Sequence, residues 1–139
     1  MNNITLKMAQ QIANATSALE EKRTGHQPHA VTVVLSEDIL VVTLHEAFSP
    51  AEKELAKTVV GAVQVEDYHK QLFANSSDPL RLEINRLSGR VVMEADAVVE
   101  PATGSVIHAF STGRLMQVYL LTKNIFMEPE SGNELRPQS

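Results

Sequence analysis

Between Val31 and Leu55 the chain reads VTVVLSEDILVVTLHEAFSPAEKEL, a strand, a tight turn, a second strand and a capped helix in direct succession. Val31, Val33 and Leu35 alternate with Thr32, Val34 and Ser36, and beyond the turn Leu40, Val42 and Leu44 alternate with Ile39, Val41 and Thr43. A period of two sends neighbouring side chains to opposite faces, so both segments are expected as strands. Only Ser36, Glu37 and Asp38 separate them, which makes them an antiparallel pair. Both faces are rather apolar, so one is expected to meet helices and the other a partner or the chain's own tail. Ser49, Pro50, Ala51 and Glu52 then combine a hydroxyl acceptor at the cap, proline at the first helical position and a carboxylate reaching back from the third.

The flanking segments extend this pattern. From Ile4, the residues Met8, Ile12, Ala15 and Leu19 recur at helical spacing. That helix is expected to end near Thr24, where Gly25 follows the basic Lys22 and Arg23 and Pro28 prevents a restart. The helix opened by Ser49 is expected to carry Leu55, Val59 and Val60 inward, to meet a kink or a change of helix at Gly61, and to resume through Val65, Tyr68, Leu72 and Phe73. Asn75 to Pro79 reads as a break and a new start, with Leu80, Ile84 and Leu87 on one face and Gly89 at the end. In VVMEADAVVE, residues Val91, Met93, Ala95, Ala97 and Val99 are expected to face the core. Pro101 to Gly104 makes a turn, and Ser105 to Phe110 returns as a strand. Helix, hairpin, helices, hairpin is the order of an α+β two-layer sandwich, with helices packed on a largely antiparallel four-stranded sheet. The domain is expected over residues 1–112, followed by an apolar C-terminal extension, 113–139, whose polar end should fray.

A chain of 139 residues suits one domain, burying roughly two thirds of its unfolded surface. The formal net charge is -5, and the twelve Lys and Arg residues are scattered, so no nucleic-acid partner is expected. There is no cysteine, which excludes disulfides, thiolate metal sites and cysteine nucleophiles and suits a reducing compartment. No stretch approaches the roughly 18 consecutive apolar residues of a spanning helix, so direct membrane insertion is not expected and a cytoplasmic location is.

Candidate chemistry is sparse. His26 and His29, spaced closely in a loop, have the residue type of metal ligands but need acidic partners brought by folding. His45 beside Glu46 has the composition of a proton-transfer pair, yet adjacent strand residues point to opposite faces. Asp67, Tyr68 and His69 read as a mixed helix surface. Glu94 and Asp96 sit two apart on one strand face, where solvated carboxylates are the commoner case. Ser111, Thr112, Gly113 and Arg114 offer hydroxyls, a flexible backbone and a guanidinium to an anion, without the spacing of a nucleotide loop. No GxSxG nucleophile elbow is present. An alternative reading, a small-ligand-binding or metal-dependent enzyme, requires a pocket that gathers at least two of His26, His29, His45, Asp96 and His108.

One ordered series carries a family resemblance: the hairpin turning at Glu37 and Asp38, the SPAE helix start, YHKQLF from Tyr68 to Phe73, the SGR exit from a helix at Ser88 to Arg90, and Asp96 ahead of a Pro-x-Thr-Gly turn. From about Ile4 to Phe110 the chain resembles the MpsC family, named for a sodium-translocating, membrane-potential-generating system. The resemblance implies a small accessory or regulatory protein, without an enzymatic activity, associated with a membrane system that moves cations or takes up inorganic carbon. It implies no catalytic residue, metal or cofactor. The expected mode of action is protein–protein contact, with a membrane transport subunit as candidate partner and a homo-oligomer, a dimer first, as the expected state. Leu115, Met116, Tyr119, Leu120 and Phe126 are the candidate partner-binding anchors, because aromatic and Met side chains are favoured in interface cores.

Overall fold

The computed structural model of the protein describes residues 3–36 and 38–112. Among the described residues eight elements follow one another: α1 (Asn3–Thr24), β1 (Ala30–Ser36), β2 (Ile39–His45), α2 (Pro50–Leu55), α3 (Val59–Ser76), α4 (Asp78–Ser88), β3 (Glu94–Glu100) and β4 (Ser105–Ser111). The four strands form one antiparallel sheet in the order β1-β2-β4-β3, so each hairpin contributes one central and one edge strand. This is the expected α+β two-layer arrangement. The candidate anchors Leu115, Met116, Tyr119, Leu120 and Phe126 lie outside the described residues.

Register explains which face is buried. Val33, Val42, His108 and Ala97 stand in one cross-strand row, and Leu35, Leu40, Phe110 and Ala95 stand in the next row on the same face. These rows, with Val31, Leu44, Val106 and Val99, meet Ile12 of α1, Val65 and Phe73 of α3 and Leu80 and Ile84 of α4 in one core. α1 packs along β1 and α3 along β3, while α4 lies beside α1.

The helix boundaries follow their local chemistry. Gly25 takes φ 79° after α1, and its N–H bonds to the Glu21 carbonyl. Ser49 and Glu52 form the full capping box of α2. Gly89 closes α4 in the left-handed conformation. At the α3–α4 joint Ser77 stays helical and makes no side-chain capping bond, so Pro79 and the end of the α3 ladder mark that boundary instead.

Two inward faces differ from expectation. Val59 and Val60 are 83% and 69% exposed, and Leu55 and Tyr68 also face solvent. The cause is a change of helix: α2 stops at Leu55, Thr58 caps a new helix by accepting from Gly61 N–H, and the helical phase restarts. The inward line of α3 therefore runs Gly61, Val65, His69, Phe73. Likewise Val91 and Met93 are exposed while Val92 is buried. The ladder of β3 begins only at Glu94, so the alternation that holds from Ala95 to Val99 does not extend back to Val91.

Candidate functional site

The i, i+4 line of α3 brings His69 inward, only 2% exposed, among apolar neighbours. Its imidazole stacks on Phe48, centroids 5.2 Å apart at 19°, and Tyr68 covers its edge. His69 Nε2 lies 3.1 Å from Glu52 Oε2. Glu52 Oε1 accepts from the Ser49 N–H at 2.8 Å, so one carboxylate both closes the capping box of α2 and ties α2 to α3. Partial burial opposes ionisation of Glu52, but the bonds from His69 and Ser49 outweigh it and hold the carboxyl below the usual carboxylate range.

A second acid, this one fully buried, lies close by. Glu20 of α1 is 2% exposed, with Arg23 Nη2 3.4 Å from its Oε1. Arg23 Nη1 also donates to the Ser76 carbonyl at 2.9 Å, tying α1 to the end of α3. Burial pushes the Glu20 carboxyl up, and the positive field of Arg23 only partly offsets it. His108 of β4 lies under Phe73, ring centroids 4.4 Å apart, with no partner for Nδ1 among the described residues. Complete burial, reinforced by the fields of Arg23 and His69, pushes its pKa down to about 3, so the ring is neutral at ordinary pH.

Glu52, His69, Glu20, Arg23 and His108 form an internal polar seam that joins α1, α2 and α3 over the sheet. None of them lines any of the clefts described below. The sequence reading of His69 as part of a mixed surface is thus corrected, and Glu20 joins the seam without having stood out in the sequence. The signal in both cases is an i, i+4 spacing: Val65, His69, Phe73 in α3, and Ile12, Thr16, Glu20 in α1.

The residues required by the enzyme reading do not converge. His26 Nε2 is 3.3 Å from the Glu46 carbonyl, His29 is exposed, and His45 Nε2 lies 3.1 Å from Thr32 Oγ1 on the sheet face away from the helices. Asp96 is on that same face at the opposite edge, where its Oδ1 accepts from Ala97 N–H and it joins Lys70 and Arg81 in lining a cleft of 290 Å³. His108 is buried on the helix side. Among the described residues no group of three His, Asp or Glu side chains is placed to hold a metal. Ser111 is buried and Thr112 hydrogen-bonds the Asp38 carbonyl, while Gly113 and Arg114 of the same candidate loop lie outside the described residues.

Two apolar surfaces are left. The first is the sheet face turned from the helices, with the rows Val34, Val41, Ala109, Asp96 and Thr32, Thr43, Ile107, Val98. Val34 is 60% exposed and Ile39 at the hairpin end is also exposed, while Val41, Val98 and Ile107 are half-buried and Ala109 at the centre is buried. The second is a groove of 420 Å³ where α1 and α4 meet the β1–β2 hairpin end, floored by Ile12, Leu40, Ile84 and Phe110. A third cleft, lined by Lys53, Lys57 and the Pro101–Gly104 turn, backs onto Phe48.

No helix among the described residues is long and apolar enough to cross a membrane. No curated protein and no solved structure matches the chain. The family model described as "Na+-translocating membrane potential-generating system (MpsC)" matches residues 5–114, from the body of α1 to just past β4, and so covers every described strand and nearly all of the helical layer. This chain therefore belongs to the MpsC family.

Proposed function

We propose that the protein is a non-enzymatic accessory or regulatory subunit of a membrane system that moves cations or inorganic carbon, acting on the cytoplasmic side by contact with another chain. The observation that carries this reading is the outer sheet face: Val34, Ile39, Val41, Val98 and Ile107 line it without joining the core. Exposed and half-buried apolar side chains gathered on one sheet face are a common mark of an interaction surface. The family's description supports the link to a membrane system, and in this reading the span across the bilayer belongs to a partner subunit. The same face suits a homodimer through two-fold apposition of sheets. The tail anchors Tyr119, Leu120 and Phe126, and with them Leu115 and Met116, extend the apolar character of the sequence beyond the sheet.

Val41 sits at the middle of the face on a central strand, so Val41→Asp tests the reading. Light scattering after gel filtration should show the wild type as a dimer and the variant as a monomer with unchanged far-ultraviolet circular dichroism. Affinity capture from native membranes should recover a multispanning transport subunit with the wild type and at least about tenfold less with the variant, the loss that about 1.4 kcal/mol produces. Recovery unaffected by Val41→Asp, or no membrane subunit with either protein, overturns the proposal.

A further inference from the structure

The cleft of 290 Å³ between the α3–α4 joint and the edge strand β3 gathers four polar side chains, Lys70, Ser77, Arg81 and Asp96, beside an apolar wall that includes Phe73 and Ala95. Ser77 is only 6% exposed, yet its hydroxyl makes no capping bond to α4. The Ser77 carbonyl serves the helix instead, accepting from the Leu80 and Arg81 N–H groups. Arg81 forms no ion pair among the described residues, and its buried Nε meets no acceptor there. Lys70 meets Glu66 at 3.3 Å on the surface of α3, an exposed pairing of little strength. Asp96 Oδ1 accepts from the Ala97 N–H at 2.9 Å, which orients the carboxylate and leaves Oδ2 without a protein donor among the described residues.

A guanidinium and a buried hydroxyl, both without protein acceptors and both turned to one cleft, are suited to an oxyanion, which arginine grips through its planar fork. The apolar wall lowers the local dielectric and strengthens that attraction. Small-molecule pockets run from roughly 300 Å³ upward, so this one has the size for an ion and not for a nucleotide. Asp96 adds a condition on the ion. An ionised carboxylate only accepts, so an oxyanion without a proton meets like charge there, whereas one that keeps an O–H donates to it. Sulfate and carboxylates carry no proton near neutral pH, while inorganic phosphate always carries at least one. Three donor side chains and one acceptor also match the four oxygens of hydrogen phosphate. We propose that this cleft binds inorganic phosphate, with Arg81, Lys70 and Ser77 on its anionic oxygens and Asp96 accepting from its hydroxyl. The proposal goes beyond the functional reading above and does not rest on it.

Inorganic phosphate titrated into the full-length protein, with sulfate as the reference ion, tests this by calorimetry and by backbone amide NMR. Both ions stabilise proteins by exclusion from their surface, so saturable binding is the readout and the melting temperature is not. Phosphate should saturate, with amide shifts centred on Ser77, Arg81 and Ala97, and sulfate should bind at least about tenfold more weakly. Arg81→Gln should weaken phosphate binding at least about tenfold, whereas Arg86→Gln, on the exposed side of the same helix, should leave it unchanged. Asp96→Asn, which replaces an acceptor by a donor, should erase the preference for phosphate over sulfate, a change that a purely structural role for Asp96 would not produce. Titration without saturation, equal binding of the two ions by the wild type, or full phosphate affinity in Arg81→Gln overturns the proposal. The wild-type comparison of the two ions decides the matter even where a variant fails to fold.

Discussion

His108 shows how one residue sets a pH dependence for the fold. Its folded pKa is near 3 against an ordinary 6.5, because burial under Phe73 disfavours the charged ring and Arg23 and His69 add positive field. Between those values the unfolded chain binds a proton that the folded chain refuses. Stability from this group is therefore complete above pH 6.5 and lost as pH falls towards 3, by on the order of 5 kcal/mol over the full window. Glu52, whose pKa is lowered, acts in the same direction in acid, and Glu20, whose pKa is raised, acts in the opposite one. His108→Leu, which also removes the unpartnered Nδ1, should flatten the decline of the melting temperature between about pH 6.5 and 4; an unchanged slope would refute this. None of this was legible from the histidine itself. Strand alternation places His108 inward with Val106 and Phe110, but only the fold brings Arg23 and His69 towards it. His69 and Glu20 were within reach of the sequence, since each continues an i, i+4 apolar line, and that line, not the neighbouring Asp67 and Tyr68, decides where His69 faces.

At the scale of elements, boundaries written in local chemistry were legible and the helical phase across a break was not. Ser49, Pro50 and Glu52 marked α2 unambiguously, whereas nothing between Leu55 and Val59 announced that Thr58 would cap a fresh helix and turn Val59 and Val60 outward. Gly61 is the hinge of that change. A Cβ there would lie 1.9 Å from the Leu55 carbonyl oxygen and 2.9 Å from Thr58 Oγ1, so α3 could not start against the end of α2. Gly61→Ala should cost about 3 kcal/mol or more in chemical denaturation. Gly89→Ala, with open space around it but φ 75°, should cost about 1–2 kcal/mol, and equal losses at the two sites would count against the steric account. Ser49→Ala removes a cap from a helix that buries no residue, so the expected loss of about 1 kcal/mol should come with weakened hydrogen-exchange protection of α2 alone.

For the whole molecule, the sheet order predicts a gradient of local stability. β2 and β4 are paired on both sides and carry Val42, Leu44 and Val106, all essentially inaccessible, while α2 rests on the Glu52–His69 contact. Native-state hydrogen exchange should be slowest in β2 and β4 and fastest in α2, with β1 and β3 between; early exchange in β4 would contradict the arrangement. The same order has a further consequence. Each half of the chain, helical first and then a hairpin, meets the other half in the sheet along the single β2–β4 seam. Two molecules that traded everything after α2 would restore every bond of that seam, with the α2–α3 junction as the segment that has to straighten. An exchanged pair of this kind would double the protein without inventing any new contact chemistry.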